Sequence, residues 1–253
     1  WNIAAVFSGI TGSAHVRIPK LDSKVVEDNE IGFAALHQDH EHLTAVLVFR
    51  GTTVARQTLG PDWATDLDIS DLNIGYLFPE LTERNYRVHR GFAHKYRSVF
   101  EQVESCISNL LAQNENVQII ITGHSQGAAL GQIAAWHAMR TIAHHKARSG
   151  QIYSNAVENR VKFFLISSPK ILSSRATEKF NQDFGILNGV WLQGEGDLVP
   201  TFSRIFPIHV FHRTRQSVGV CFIDKSEDIH RRAIIYAPTK PTKKSLLAHY
   251  SLS

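Results

Sequence analysis

Residues 117–131 read Val-Gln-Ile-Ile-Ile-Thr-Gly-His-Ser-Gln-Gly-Ala-Ala-Leu-Gly, and this stretch decides the fold class. The β-branched run at 117–122 predicts a buried strand, and the small residues from Ser125 to about residue 140 predict a helix packed closely on a sheet. Between them lies the Gly-x-Ser-x-Gly pattern of a serine at a tight strand-to-helix turn. Glycines on both sides remove the Cβ clashes that would block such a turn. The pattern predicts Ser125 as a nucleophile at the positive end of the helix.

Further strand and helix patterns alternate on both sides of this stretch. Apolar residues recur at helical spacing over 96–111, which predicts an amphipathic helix, and a second helix is predicted at 176–184. Apolar runs that predict strands lie at 30–36, 43–49, 161–167, 190–192, 208–211 and 218–223. Strands that alternate with helices favour the α/β class, with a mostly parallel central sheet and helices on both faces. Because no linker interrupts the pattern, residues 1–253 are predicted to form one domain.

The composition restricts the class of protein. Hydrophobic residues make up 43% of the 253 residues and charged residues 20%, as in a folded globular chain. The two cysteines, Cys106 and Cys221, allow at most one disulfide. The longest apolar runs have five residues, and a membrane-spanning helix needs ~20, so no transmembrane segment is predicted.

The positive charge is concentrated near the C-terminus. The net charge is +4, and residues 201–253 hold nine Lys/Arg against three Asp/Glu. We interpret this region as a solvated basic face, with attraction to an anionic lipid layer as the alternative. Nucleic acid is not a predicted partner, because the sequence has no helix-turn-helix or zinc-finger spacing.

A nucleophilic serine needs a base and an orienting carboxylate, and in this type of fold they follow it in the order Asp or Glu, then His. Asp197 is the predicted acid because it lies on a Gly-Glu-Gly-Asp-Leu-Val-Pro turn after a predicted strand; Glu195 is its main competitor. His249 is the predicted base, in a short apolar patch near the end of the sequence. The other downstream histidines include His209 and His212, which fall within a predicted strand.

Acyl transfer also requires donors that stabilise the developing oxyanion. The backbone N–H of Gln126, directly after the nucleophile, is one predicted donor. The N–H of Thr52 is the other, since Phe-Arg-Gly-Thr at 49–52 ends a predicted buried strand. The hydroxyl of Thr52 would add a further contact.

Several separate blocks resemble the class 3 lipases, the α/β-hydrolase family of the fungal triacylglycerol lipases. The resemblance covers residues ~30 to 253 and implies the α/β-hydrolase fold with Ser125, Asp197 and His249 as its triad. Gln126 departs from the family, which usually has Leu after the serine, and Gly196 stands where Asn is usual. These departures weaken a subfamily assignment and leave the triad intact. The matching blocks are Val-Phe-Arg-Gly-Thr at 48–52, Trp-Ala-Thr-Asp-Leu at 63–67, Val-His-Arg-Gly-Phe at 88–92, the elbow at 123–127, Ser-Pro at 168–169, Asp-Leu-Val-Pro at 197–200 and His-Tyr at 249–250.

The resemblance further implies a lid-like connection, here residues 53–87. Its apolar side chains need a cover, so this segment is either a lid that opens onto lipid or a fixed wall of the acyl pocket. The implied reaction is hydrolysis of lipid carboxylic esters through an acyl-enzyme, with transient contact with a lipid interface and without a cofactor. The alternatives are phospholipase A-type specificity, acyl transfer to an alcohol, and a catalytically inactive lipid-binding relative.

Three histidines, His37, His40 and His42, lie close together in the sequence beside Asp39 and Glu41. The implied hydrolysis requires no metal, so no metal site is predicted from this cluster. The compartment is left open, with a soluble secreted protein favoured over a cytoplasmic one.

Overall fold

The computed structural model describes residues 1–10, 28–39, 42–52, 70–148, 160–184, 188–194, 197, 199, 219–223 and 233–235. Two of its sheets can be traced. The small one joins β4 (Asp71–Asn73) to β5 (Arg87–His89). The strands of the large one are β1 (Asn2–Ile10), β2 (Asp28–Asp39), β3 (His42–Phe49), β6 (Gln118–His124), β7 (Val161–Ile166), β8 (Gly189–Gly194), β9 (Gly219–Ile223) and β10 (Ala233–Ile235).

The large sheet has the order β1-β2-β3-β6-β7-β8-β9-β10. Its central strands, from β3 through β6, β7 and β8 to β9, are all parallel to their neighbours. Antiparallel pairs, β1–β2–β3 and β9–β10, form the two edges. The predicted mostly parallel sheet is confirmed, and so is the predicted strand pair at 30–36 and 43–49.

Strand β1 is an element that the sequence patterns did not reveal. Its pairing with β2 shifts register between Ile3 and Ala5 and again between Phe7 and Ser8. Each shift breaks the period-two alternation by which a strand is recognised. The strand predicted at 208–211 lies outside the described residues.

The described residues form four α-helices, which lie between strands in the sequence: α1 (Arg90–Arg97), α2 (Phe100–Gln113), α3 (Gln126–Arg148) and α4 (Ser174–Phe184). The single helix predicted over 96–111 is therefore divided between α1 and α2. Ser98 closes α1 by donating its hydroxyl to the carbonyl of Lys95 at 2.7 Å. The apolar stripe nevertheless continues across the break, because Val99 is fully buried.

The core lies between the central strands and these helices. On β3, alternate residues from Leu43 to Phe49 are buried, as expected for one face of a sheet against helices. Helix α3 packs on β3, β6 and β7, and its small residues allow close contact. Aromatic rings fill the region beside α4, and full burial of one such side chain contributes about 2 kcal/mol. These rings belong to Trp136, Phe163, Phe180, Phe184 and Trp191.

Two glycines let α3 begin directly against the sheet. A Cβ on Gly127 would lie 2.7 Å from the carbonyl carbon of Phe49, and closer still to its oxygen. A Cβ on Gly123 would lie 2.5 Å from the carbonyl carbon of Gly127. Real Cβ atoms do not approach backbone this closely, so the contact between α3 and the end of β3 depends on glycine.

Residues 70–87 pack firmly against the helices. Two 3-10 helices, Ile74–Tyr76 and Pro79–Arg84, lie between β4 and β5. Ile74, Leu77, Phe78 and Leu81 are buried, and the ring of Phe78 contacts those of Phe100, Trp136 and His137. An ion pair between Glu80 and Arg140 joins this part of the chain to α3.

His137 is a titratable group inside the helical layer. Its Nδ1 lies 3.0 Å from the hydroxyl of Tyr96, and its ring stacks on Phe100 at 3.8 Å. Its Nε2 is buried without a hydrogen-bond partner. Burial is the main cause that lowers the pKa of His137 to about 3, and the nearby cations Arg140 and Arg97 lower it further.

We expect Gly127→Ala to destabilise the protein by more than ~2 kcal/mol, because backbone on the facing strand cannot yield to a new methyl group. Thermal unfolding followed by circular dichroism would measure the loss. Gly131→Ala is the matched control in the same helix, since its nearest neighbour is the end of the flexible Leu165 side chain. Equal melting temperatures for the two variants would contradict the close contact described above.

The buried His137 makes stability depend on pH. Between about pH 6.5 and pH 3 the unfolded chain binds a proton that the folded chain excludes. Stability contributed by the neutral ring is therefore present above pH 6.5 and is lost as the pH falls, by at most ~1.4 kcal/mol per pH unit. Urea unfolding at several pH values should show a flatter profile for His137→Gln, which keeps an acceptor for Tyr96. Identical slopes in both proteins would show that the ring does not exclude its proton.

Candidate active site

The site is built at the carboxyl edge of the parallel strands. Strands β3, β6, β7 and β8 are consecutive neighbours and run in one direction, so their C-terminal ends meet at one edge. Thr52 follows β3, Ser125 follows β6, Ser167 follows β7 and Asp197 comes shortly after β8. In open α/β sheets this edge is where ligands bind.

Ser125 occupies a strained position between β6 and α3. Its φ of 56° lies in the left-handed region, which costs energy for a residue with a side chain. Its N–H donates to the carbonyl of Ile166 at 2.9 Å, and its own carbonyl accepts from the N–H groups of Ala128 and Ala129. The predicted strand-to-helix elbow is therefore present, with the serine locked at the N-terminus of α3.

The turn after β3 lies directly beside this elbow. A Cβ on Gly51 would lie 2.9 Å from the carbonyl oxygen of His124, so the two backbones touch there. The turn is fixed from the other side, where the N–H of Arg50 donates to Ile31 at 2.8 Å. Thr52, the next residue, is half-buried. Thr52 and Gln126, the two predicted donors, thus follow strands β3 and β6, which are neighbours in the sheet.

Gln126 is the first residue of α3 and is only 1% exposed. The first N–H groups of an α-helix have no acceptor within the helix, which makes the N–H of Gln126 suited to an external anion. Its side chain accepts a hydrogen bond from the Nζ of Lys95 on α1. Lys95 is 4% exposed, which is rare for lysine.

Asp197 is 1% exposed at the same edge. Its Oδ1 accepts a hydrogen bond from the backbone N–H of Val199 at 2.9 Å, which orients the carboxylate. Such a buried acceptor is suited to hold an imidazole N–H. The competing Glu195 lies outside the described residues, as do His249, His209 and His212.

Another downstream carboxylate, Asp183, is engaged elsewhere. It accepts a hydrogen bond from the indole N–H of Trp136 at 2.9 Å and pairs with Lys179. Its side chain is only 14% exposed. Asp183 therefore lies on α4 and supports the aromatic core through Trp136.

Sequence patterns missed two buried polar residues near the elbow. Lys95 falls within the apolar stripe, three residues after Phe92 and four before Val99, and a lysine at such a position was a usable signal. Ser167 carries no comparable signal. It has a φ of 50°, is fully buried, and its hydroxyl has no hydrogen-bond partner.

Other predictions concern the surroundings of the site. The backbone N–H of His89 donates to the carbonyl of Ile171 at 2.8 Å, and its ring contacts Phe92. None of the helices in the described ranges is long and apolar enough to cross a bilayer. Across the same ranges no cluster of three metal-ligating side chains occurs; His40 of the predicted histidine cluster lies outside them.

Comparison with known proteins identifies relatives of this chain. It is 30% identical over 194 residues to phospholipase A1-II 3 of Oryza sativa subsp. japonica, an alignment covering 69% of this chain and 43% of that protein. It is 30% identical over 97 residues to secreted mono- and diacylglycerol lipase A of Penicillium cyclopium, covering 38% of this chain and 28% of that protein. The chain thus spans less than half the length of these relatives.

A solved structure shares the fold. It is a triacylglycerol lipase whose catalytic centre is a serine protease triad; the TM-score is 0.64 at 16% identity, covering 98% of this chain and 78% of that one. With the parallel sheet described above, this likeness establishes the α/β-hydrolase fold. Residues 46–206, more than half of the sequence, match the family model Lipase (class 3). The chain therefore belongs to the class 3 lipase family.

Proposed function

We propose that this protein is a serine hydrolase that cleaves carboxylic esters of lipids through an acyl-enzyme. The observation that carries the proposal is the left-handed Ser125 at the N-terminus of α3, beside the Gly51–Thr52 turn and on the same sheet edge as the buried Asp197. An inactive lipid-binding relative would need none of these features. The presence of Ser125, Asp197 and the Gly51–Thr52 turn at one sheet edge supports catalysis.

In the proposed mechanism, His249 is the general base and Asp197 holds its imidazole in the productive tautomer. The Ser125 hydroxyl attacks the ester carbonyl, and the hydroxyl proton passes to His249. The N–H groups of Thr52 and Gln126 stabilise the negative oxygen that forms. His249 then protonates the leaving alcohol, and water attacks the acyl-enzyme by the reverse path. Support for His249 comes from its place in the family pattern at 249–250.

Two kinds of lipid ester are proposed as substrates. Acylglycerols are supported by the similarity to the Penicillium mono- and diacylglycerol lipase. Phospholipids are the second candidate, because the rice phospholipase A1 matches over 69% of this chain and the C-terminal region is basic. Rates on diacylglycerol and phosphatidylcholine, each presented as the same mixed micelle, would decide between them.

A transient contact with the lipid surface is also part of the proposal. Residues 70–87 are anchored through β4, β5 and the Glu80–Arg140 ion pair, so they are suited to a fixed wall of the cleft. Secretion is proposed from the similarity to a secreted lipase.

The nucleophile is tested by Ser125→Ala. We expect the variant to keep its fold and to lose at least ~10⁴-fold of the turnover on p-nitrophenyl butyrate, since the attacking oxygen is gone. Labelling by a fluorophosphonate should disappear with it. Ser168→Ala is the control, because its hydroxyl bonds to the neighbouring Pro169 carbonyl. Labelling that persists in Ser125→Ala would reject the nucleophile.

The acid and the base are tested together. Asp197→Asn keeps the shape of the side chain and should lower kcat by about 10³- to 10⁴-fold by favouring the wrong tautomer. His249→Ala should give a comparable loss, whereas His209→Ala and His212→Ala should retain most activity. If His249→Ala stays active and the alanine variant of His209 or His212 loses most of its kcat, that histidine is the base instead.

A further inference from the structure

A hydrogen bond between two buried side chains connects the elbow to helix α1. The Nζ of Lys95 donates to the Oε1 of Gln126, and the exposed fractions are 4% and 1%. Burying a lysine is costly unless its charge is hydrogen-bonded, and α1 offers an exposed position at Arg97. A costly buried group of this kind is most often found where function requires it.

The bond acts on the residue that follows the nucleophile. Gln126 is bonded through its peptide link to Ser125, and its side chain is hydrogen-bonded to α1. Helix α1 is itself anchored, because the N–H of His89 donates to Ile171 and that of Arg90 donates to Ser70, each at 2.8 Å. The orientation of Gln126 is therefore tied to a fixed element outside α3.

We propose that Lys95 is a positioning residue for the oxyanion hole and acts through Gln126. This inference rests on the proposed function, in which the N–H of Gln126 binds the oxyanion. The hydrogen bond fixes the rotation of Gln126 about its backbone and so aims that N–H. The ammonium group also places positive charge next to Gln126, whose N–H would bind the developing oxyanion.

Both effects favour the transition state over the bound ester. A neutral ester carbonyl gains little from a fixed donor or a nearby cation, whereas an oxyanion in a water-excluded site gains much more. Loss of Lys95 should therefore lower kcat and leave KM nearly unchanged. A lysine that only joins two helices would instead affect the melting temperature and the fraction of folded enzyme.

The decisive variant is Lys95→Met, which keeps the aliphatic stem and removes the donor and the charge. Active sites are counted by fluorophosphonate titration, and p-nitrophenyl butyrate turnover is expressed per titrated site. We expect kcat to fall about ten- to a hundredfold, as for small misplacements of catalytic groups. KM should stay within about twofold. Ser125 adds to the carbonyl of a trifluoromethyl ketone and forms an anionic hemiketal. The affinity for this ketone should fall by about the same factor as kcat.

Further variants separate positioning from a general structural role. Gln126→Met removes the same hydrogen bond and keeps both the backbone N–H and Lys95, so it should lower kcat by the part of the loss that the hydrogen bond carries. The double variant should lose no more than Lys95→Met alone, because the hydrogen bond is already broken there. Lys95→Arg should restore part of kcat. Lys179→Met, which breaks the ion pair with Asp183 on α4, is the matched control and should leave kcat unchanged.

Each outcome is informative. Lys95→Met with wild-type kcat and ketone affinity per titrated site would overturn the inference, whatever its melting temperature. If Lys95→Met does not fold, Gln126→Met decides, and a wild-type kcat there would overturn it equally. A wild-type protein that neither labels nor cleaves the ester would instead overturn the proposed function and this inference together.

Discussion

The structure depends on a backbone-to-backbone contact, the approach of the first turn of α3 to the end of β3. That approach is possible because Gly127 presents no Cβ to the carbonyl of Phe49 and Gly123 presents none to Gly127. It sets the distance between the elbow and the turn that carries Thr52. Without it, a strained serine would still stand at the sheet edge, but the turn at Gly51 would not touch the elbow.

The parallel order of the strands brings further residues of the site to the same edge as this contact. Residues from four strand ends, separated by as many as 145 positions between Thr52 and Asp197, share one edge because β3, β6, β7 and β8 are consecutive neighbours. The helical layer beneath keeps that edge in place through tightly packed aromatic rings. His137 belongs to this layer, so acidification acts on the scaffold of the site.

Local patterns in the sequence were enough to predict much of this arrangement. The elbow, the β2–β3 pair and the parallel order follow from periodicity and from turn chemistry, which depend on near neighbours. Strand β1 was missed because register shifts hide its alternation, and the break at Ser98 was missed because the apolar stripe runs across it. Both depend on pairing or capping that the spacing of apolar residues does not report.

The same limit applies to the site. The placement of Ser125, Thr52 and Asp197 at one edge of the sheet was predictable because each follows a recognisable strand. The hydrogen bond from Lys95 to Gln126 was not predictable, since it spans 31 positions and joins side chains on different helices. His249 stays a prediction from the family pattern. A fixed wall was one of two readings of residues 53–87, and the packing of 70–87 against Trp136 and Arg140 is a tertiary effect that local spacing does not report.

Helix α3 has 23 residues and is therefore ~34 Å long. Its nucleophile end is clamped, and its other end, at Arg148, is exposed. If that distant end shifts sideways by ~1 Å, the axis tilts by only ~2°, well inside the 10–20° within which catalytic groups must be aimed. A displacement at the C-terminal end of α3 therefore barely changes the orientation of its N-terminal end. A tether or a fused protein attached at the C-terminal end should be tolerated.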